Sequence, residues 1–264
     1  MATKSLILQS SLSASGAEIT SKKPIRNELL LALSSKDRDC IFGQLEQVDL
    51  PAHTVLREPG EPMLFGYFID SGLASIASVL SDGKSVVAGL TGKEGFVGMP
   101  LLAGYSSGPT RAVMQVAGSA FRIRAQDCAS IPRTCVPLAD SLQRYLLELS
   151  LQSTQLVACN CLHRVESRLA RCLLMAQDRV GSDDVRLTQD TLAQMLGARR
   201  ASVTVAAGAL QEAGLIRYNR GKVTVINRSE LETNACECYQ KMLLQSRQWQ
   251  NQIDKSGIPF AKSA

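Results

Sequence analysis

The sequence predicts an α+β protein: an N-terminal β roll of jelly-roll type, a long helix, and a C-terminal winged helix-turn-helix. Three observations carry this prediction. Turn signals cut residues 50–123 into strand-sized pieces, and apolar residues at spacings of three and four run from Leu138 to Cys159. Two short helical patterns then meet at Gly197 and are followed by a β hairpin. A chain of 264 residues has room for two domains and their connectors.

Residues 1–23 are rich in Ser, Ala and Thr and read as a flexible lead-in. Leu29, Leu30 and Leu33, then Ile41, Phe42, Leu45 and Val48, predict two short helices around Ser34-Ser35. Ser35 is the expected cap of the second, with Asp37 in its first turn. From Leu50 to Ile123 the turns are Glu58-Pro59-Gly60, Asp70-Ser71-Gly72, Ser81-Asp82-Gly83, Thr91-Gly92 and Ser107-Gly108-Pro109. Pieces such as Tyr67-Phe68-Ile69 and Ser85-Val86-Val87-Ala88 lie between them, a rhythm that argues for a compact barrel or roll.

Pro137 opens the long helix. Leu138, Leu142, Tyr145, Leu149, Gln152, Leu156 and Cys159 mark one stripe, with Leu146, Leu147 and Val157 beside it. Packing on the chain's own β roll and packing in a dimer seam both account for such a helix, and both are expected at once. The stripe ends around Asn160 to Arg164, where a hinge is expected, and a new helix runs through Val165, Leu169, Leu173 and Leu174. A loop at Gly181 to Asp184 separates it from the next segment.

Thr188 is a good N-cap, with Asp190 in the first turn and Leu192, Ala193 and Leu196 on the apolar face. Gly197 stops that helix by tolerating a left-handed conformation. The second helix, from about Arg199 to Ala213, turns Val203, Ala206, Ala207 and Leu210 inward and ends at Gly214. Its outward face begins with Arg199, Arg200, Ser202 and Thr204, where arginine suits guanine edges and hydroxyls suit phosphates. Ile216 to Ile226 then alternates around Asn219-Arg220-Gly221, a hairpin turn flanked by Arg217 and Lys222 that reads as a basic wing. Double-stranded DNA is the expected partner; a winged helix used only for protein contacts is the competing class.

Bulk properties permit this without demanding it. The formal net charge is +5, mildly basic, so a polyanionic partner is allowed. The start of the chain lacks the features of a secretory signal, and no apolar run has membrane-span length, so a cytoplasmic protein with reduced thiols and no membrane partner is expected. Of eight cysteines, Cys159/Cys161 and Cys236/Cys238 have Cys-x-Cys spacing, which puts successive thiols on different helix faces and makes no chelate within either pair. No metal site is expected; structural thiols and redox sensing are the two readings. His53 and His163 are read as structural. There is no nucleophile elbow, phosphate-cradling glycine loop or metal-spaced histidine cluster, so an enzyme is not expected.

With these residues in place, the chain resembles the Crp/Fnr family of bacterial transcription regulators, over nearly everything after the lead-in. Arg164 to Leu174 looks like the first helix after the family's hinge, and Gly197 to Val203 like its recognition turn and helix start. The resemblance implies a homodimer on a palindromic operator, with RNA polymerase as a further partner. It divides the chain into a flexible segment (1–24), a β-roll sensor domain (25–136), a dimerisation helix and hinge (137–163), a winged helix-turn-helix (164–232) and a C-terminal tail (233–264).

By position, the resemblance makes Arg200 the guanine reader, and Thr188, Gln189, Arg199 and Ser202 phosphate contacts, with Ala201, Thr204 and Lys222 in the same interface. Ala201 and Val205 replace a base-reading glutamate and an arginine of the cyclic-AMP-responsive members, so a different operator is expected, with apolar contact to a thymine methyl. The family's phosphate cassette, Phe-x-Gly-Glu-Leu and then Arg-Ser/Thr-Ala, corresponds to Phe96-Val97-Gly98-Met99-Pro100 and Arg111-Ala112-Val113. Gly98, Met99, Pro100, Arg111 and Ala112 are thus the candidate effector pocket. Met99 and Ala112 remove a ribose acceptor and a phosphate donor, each costing more than about 1 kcal/mol. No cofactor is therefore assigned: cyclic AMP is disfavoured and the effector is unidentified. Arg111 has a second reading, as the partner of Glu94 or another surface carboxylate. Cys40 stands alone near the start, unlike the clustered cysteines of iron–sulfur members.

Overall fold

The computed structural model describes residues 24–256, so the expected flexible segment 1–24 lies, but for Pro24, outside them. Helices α1 (Glu28–Leu31) and α2 (Ser35–Phe42) lead in. Ser34, not the expected Ser35, caps α2, because its backbone is the extended one (φ −61°, ψ 159°) and its hydroxyl accepts the Asp37 N–H.

A six-stranded antiparallel sheet follows: β1 (Leu45–Leu50), β2 (Val55–Arg57), β3 (Phe65–Val79), β4 (Ser85–Thr91), β5 (Phe96–Val97) and β6 (Thr110–Arg124). Its main path is β1-β6-β3-β4, with β2 pairing β6 and β5 pairing β3. The strands are not all short, since β3 and β6 each run 15 residues. They do so because Asp70-Ser71-Gly72, expected as a turn, is instead a run of register shifts inside β3. Gly72 takes φ 86°, and a Cβ there would stand 2.6 Å from the Val116 carbonyl oxygen. The Asp70 carboxylate bonds outward, accepting the N–H groups of Arg26 at 2.6 Å and Asn27 at 3.2 Å, and so anchors the lead into α1.

Three one-turn helices, α3 (Met99–Leu102), α4 (Ala125–Cys128) and α5 (Ile131–Thr134), connect to the 27-residue α6 (Val136–Leu162). The stripe from Leu138 to Cys159 is buried; from Leu138 to Gln152 it packs on the chain's own β roll, whereas Cys159 meets Cys236 and Cys238. The Tyr145 hydroxyl is 2.8 Å from Thr91 Oγ1. Gln152 pairs with the backbone of Leu90, accepting its N–H at 2.6 Å and donating to its carbonyl at 3.2 Å, as an added strand would. Gln143, Leu146, Leu147, Ser150, Thr154, Val157 and Cys161 stay exposed on the other side.

The break after α6 is narrower than expected: the helix continues to Leu162, His163 is extended (φ −106°, ψ 150°) and Arg164 caps α7 (Val165–Val180). Then come β7 (Asp184–Arg186), α8 (Gln189–Leu196), α9 (Arg200–Glu212), β8 (Ile216–Asn219), β9 (Lys222–Val225), α10 (Arg228–Asn234) and α11 (Cys238–Ser256). Strands β7, β9 and β8 form a second antiparallel sheet in that order. Residues read as a tail include the 19-residue α11, which turns back along α6: Gln155 donates to Cys238 Sγ at 3.1 Å, and Ser246 to Glu148 at 3.3 Å.

Apolar side chains of the α7–β9 unit, among them Leu169, Leu173, Leu196, Val203, Leu210 and Val223, share one buried cluster with Leu73, Val87, Leu90 and Val116 of the β roll. The helical unit therefore sits directly on the β3–β4 face instead of hanging from a free connector. No helix among the described residues is long and apolar enough to cross a membrane.

Candidate nucleic-acid interface

Thr188 begins α8 with an extended backbone, and its hydroxyl accepts the Thr191 N–H at 3.1 Å while pairing with the Thr191 hydroxyl at 2.9 Å. Thr188→Ala is expected to lower unfolding free energy by about 1 kcal/mol. Urea denaturation checks this; a loss below a few tenths would show that the cap is not stabilising α8. Gly197 ends α8 in the left-handed region (φ 55°, ψ 42°), and a Cβ there would lie 2.9 Å from Val86 Cγ2 on β4. The buried Arg168 guanidinium donates to the Leu196 carbonyl and, at 3.0 Å, to Asn160 Oδ1. One side chain thus ties the turn between α8 and α9 to the end of α6.

Helix α9 follows two residues after Gly197, with Arg199 at its N-cap and no side chain bonding the first-turn N–H groups. Val203, Ala206, Ala207 and Leu210 are buried, and the two alanines let α7 cross closely. Arg200, Ala201, Ser202, Thr204 and Val205 face solvent, Val205 being 74% exposed. The uncapped N-terminus of α9 and its positive dipole end suit an anion.

The wing turn is held by consecutive left-handed residues, Arg220 (φ 46°) and Gly221 (φ 78°), the backbone of a tight hairpin. A Cβ on Gly221 would touch Thr188 Cγ2 at 3.4 Å, so the wing lies against the start of α8. The Thr204 hydroxyl is 3.0 Å from both Gln189 Oε1 and the Arg200 carbonyl. Thr188, Gln189, Arg200, Thr204 and the wing turn therefore converge on one face. Two cations of this face hold carboxylates: Arg200 with Asp190 at 3.3 Å, and Lys222 with Asp184 at 2.7 Å. The Lys222 ammonium keeps the Asp184 carboxyl below the usual carboxylate range, helped by the Thr224 hydroxyl. Among the described residues Arg199 and Arg220 have no ion pair.

The candidate effector residues have different surroundings. Gly98, at φ 134°, caps α3 within 2.9 Å of Gly66 Cα for an added Cβ, and Met99 packs partly buried against the Phe68–Phe96 cluster. Ala112 is fully buried in a different cluster, as alternation along β6 requires when Arg111 faces solvent. The Arg111 guanidinium, through Nε and Nη2, meets Glu58 Oε1 at 2.9 Å, whereas Glu94 pairs with Arg179 at 2.8 Å. A cavity of about 720 Å³ lies between α1, α6, α7 and α11, lined by Tyr145, Glu148, Arg179, Tyr239 and Met242 among others. Burial there raises the Glu148 carboxyl and the Tyr145 hydroxyl above their ordinary ranges.

Residues 167–233, from the first turn of α7 into α10, match the family model of the Crp-like helix-turn-helix domain. These residues thus form a Crp-like helix-turn-helix domain. No curated protein matches the chain. Among solved structures, FixK2 from Bradyrhizobium japonicum has a TM-score of 0.62 at 16% identity, over 73% of this chain and 98% of that one. A Crp/Fnr-family transcriptional regulator from Thermus thermophilus scores 0.60 at 22% identity, over 72% and 98%. The c-di-GMP-responsive global regulator CLP of Xanthomonas campestris scores 0.59 at 19% identity, over 73% and 99%. At these identities the likeness to the solved structures is one of fold.

One group of residues has no counterpart in the sequence-based expectation of no metal site. Cys159 and His163, at the end of α6, meet Cys236 and Cys238, at the start of α11, with all four ligand atoms within 4.8 Å of one another. Cys161 is exposed and outside the group, as its spacing from Cys159 predicts, but Cys236 precedes α11, so its thiol meets that of Cys238 and the expectation of no chelate within this pair is not met. The gathering comes from two segments more than 70 residues apart, which no local spacing encodes.

Proposed function

We propose that this chain is a Crp/Fnr-type transcription regulator that binds a palindromic operator as a homodimer joined along α6, and acts on transcription with RNA polymerase as a further partner in the cytoplasm. The observation that carries the proposal is the convergence of the outward face of α9, the start of α8 and the wing turn on one surface. Arg200 reads a guanine after leaving Asp190, and Ala201 and Val205 offer apolar contact to thymine methyls. Thr188, Gln189, Arg199, Ser202 and Lys222 grip phosphates, Lys222 exchanging Asp184 for the backbone, while Thr204 orients Gln189.

The exposed positions Gln143, Leu147, Ser150, Thr154, Val157 and Cys161 follow a four-three spacing along α6, the spacing of a two-helix seam, and support the dimer. Signals from the β roll have two contacts through which to reach the turn before α9: Val86 against Gly197, and Arg168 between Asn160 and Leu196. An unidentified effector near Gly98, Met99, Pro100, Arg111 and Ala112 would bias the spacing of the two recognition helices through them. Selection from a random duplex pool tests the proposal. The expected product is a palindrome whose half-sites are one turn, about 34 Å, apart; a pool that shows no sequence enrichment at moderate salt would leave the winged helix as a protein-contact module.

A further inference from the structure

The cluster at the junction of α6 and α11 has the composition and geometry of a metal site. The Cys159 and Cys236 sulfurs are 3.4 Å apart, Cys238 Sγ lies 3.5 Å from His163 Nδ1, and every pair among the four atoms is within 4.8 Å. A tetrahedral zinc with Zn–S bonds of about 2.3 Å spaces its sulfurs by about 3.8 Å, so shifts of about 1 Å or less would close this set. The three cysteines are buried and His163 is partly buried, as a closed structural site requires. In a polynuclear iron–sulfur cluster the thiolates ligate different irons and must stand farther apart, so this spacing fits a single ion.

A second observation is independent of the cluster's own geometry. Arg171 of α7 is 1% exposed, yet its Nε and Nη2 atoms have no hydrogen-bond partner among the described residues, and Nη1 contacts only Met175 Sδ at 3.1 Å. A buried guanidinium without a carboxylate is costly unless negative charge lies nearby. Arg171 acts electrostatically on both Cys159 and Cys236. Three thiolates and a neutral imidazole around a divalent ion leave one net negative charge, which Arg171 balances. Gln155, donating to Cys238 Sγ at 3.1 Å, supplies the kind of outer hydrogen bond that ligating sulfurs receive.

We infer that Cys159, His163, Cys236 and Cys238 hold one zinc ion in a Cys3His site that fastens the end of α6 to the start of α11. The site pins His163, the first of the two extended residues between α6 and α7, and so stiffens the break beneath the helix-turn-helix. It stands apart from the proposed operator contacts and does not depend on them.

The experiment uses the full-length protein purified under reducing, anaerobic conditions. Elemental mass spectrometry is expected to find one zinc per chain, and cobalt exchange to give the visible bands of a tetrahedral thiolate-bound ion. Cys159→Ser and Cys238→Ser are expected to weaken zinc, in competition with a chelator, by more than about 100-fold, beyond what loss of a supporting residue costs. Cys161→Ser, outside the cluster, is expected to keep full occupancy, and Arg171→Met to lose about tenfold while retaining the tetrahedral cobalt spectrum. If the wild type takes up neither zinc nor cobalt, the inference fails, whatever the variants do. It fails equally if peptide mapping finds a Cys159–Cys236 disulfide in protein that never binds metal, or if Cys238→Ser keeps the wild-type spectrum.

Discussion

Arg200→Ala is expected to weaken binding to the selected operator by between about 30-fold and about 20,000-fold, because a bidentate arginine–guanine pair is worth about 1–3 kcal/mol and a dimer makes two. The larger consequence is for specificity. Affinity for a scrambled duplex is expected to fall far less, so the ratio of the two collapses. Arg199→Ala behaves differently on the phosphate reading: both duplexes weaken alike, and the slope of affinity against salt drops by about one per subunit. Fluorescence anisotropy on the two duplexes at several salt concentrations separates the cases. Equal weakening of both duplexes by Arg200→Ala would reassign that side chain to the backbone. Folding does not confound the test, because the Arg200–Asp190 pair is about two-thirds exposed on both sides and such pairs contribute at most about 1 kcal/mol.

The second large effect concerns assembly. Leu147 is 56% exposed and Val157 66% exposed, about three helical turns apart on the face of α6 that points away from the β roll. Across a twofold axis each position lies close to its own copy, so Leu147→Asp with Val157→Asp sets like charges against one another in an apolar seam. The double variant is expected to be a folded monomer by light scattering at micromolar concentration. Operator affinity is expected to fall by at least about 100-fold, because two half-sites no longer bind as one unit. A dimer that survives the double substitution would move the seam away from α6. The stripe from Leu138 to Cys159 cannot serve for this test, since it is committed to the chain's own core, with Tyr145 on Thr91 and Gln152 on Leu90.

These two experiments address features of different legibility. Around the recognition helix the sequence was readable residue by residue. The Thr188 cap, the Gly197 stop, the inward Val203, Ala206, Ala207 and Leu210, and the left-handed pair Arg220-Gly221 all stand where the residue types place them. Each is a local device: a hydroxyl bonds an amide three residues on, and a glycine relieves a clash within its own peptide units. The turn-cut rhythm of the β roll was legible for the same reason, except at Asp70-Ser71-Gly72. Ser35 was misplaced by one residue because two adjacent serines offer the same hydroxyl, and only the backbone conformation chose Ser34.

What the amino-acid sequence by itself determined, then, is the order of elements and the chemistry that α9 presents, because helix caps, turns and side-chain periodicity act over a few residues. The tertiary structure alone decided what is distant in the chain and close in space. It turned Asp70-Ser71-Gly72 from a turn into a bulge once β6 lay alongside β3. It assigned one face of α6 to the β roll and left the other exposed, and it seated Gly197 on Val86. Tyr239, Met242 and Leu243 carry helical spacing, but nothing local shows that α11 folds back on α6. That return brings Cys236 and Cys238 to Cys159 and His163, because a cluster of ligands depends on the packing of whole helices, which no spacing within either helix records.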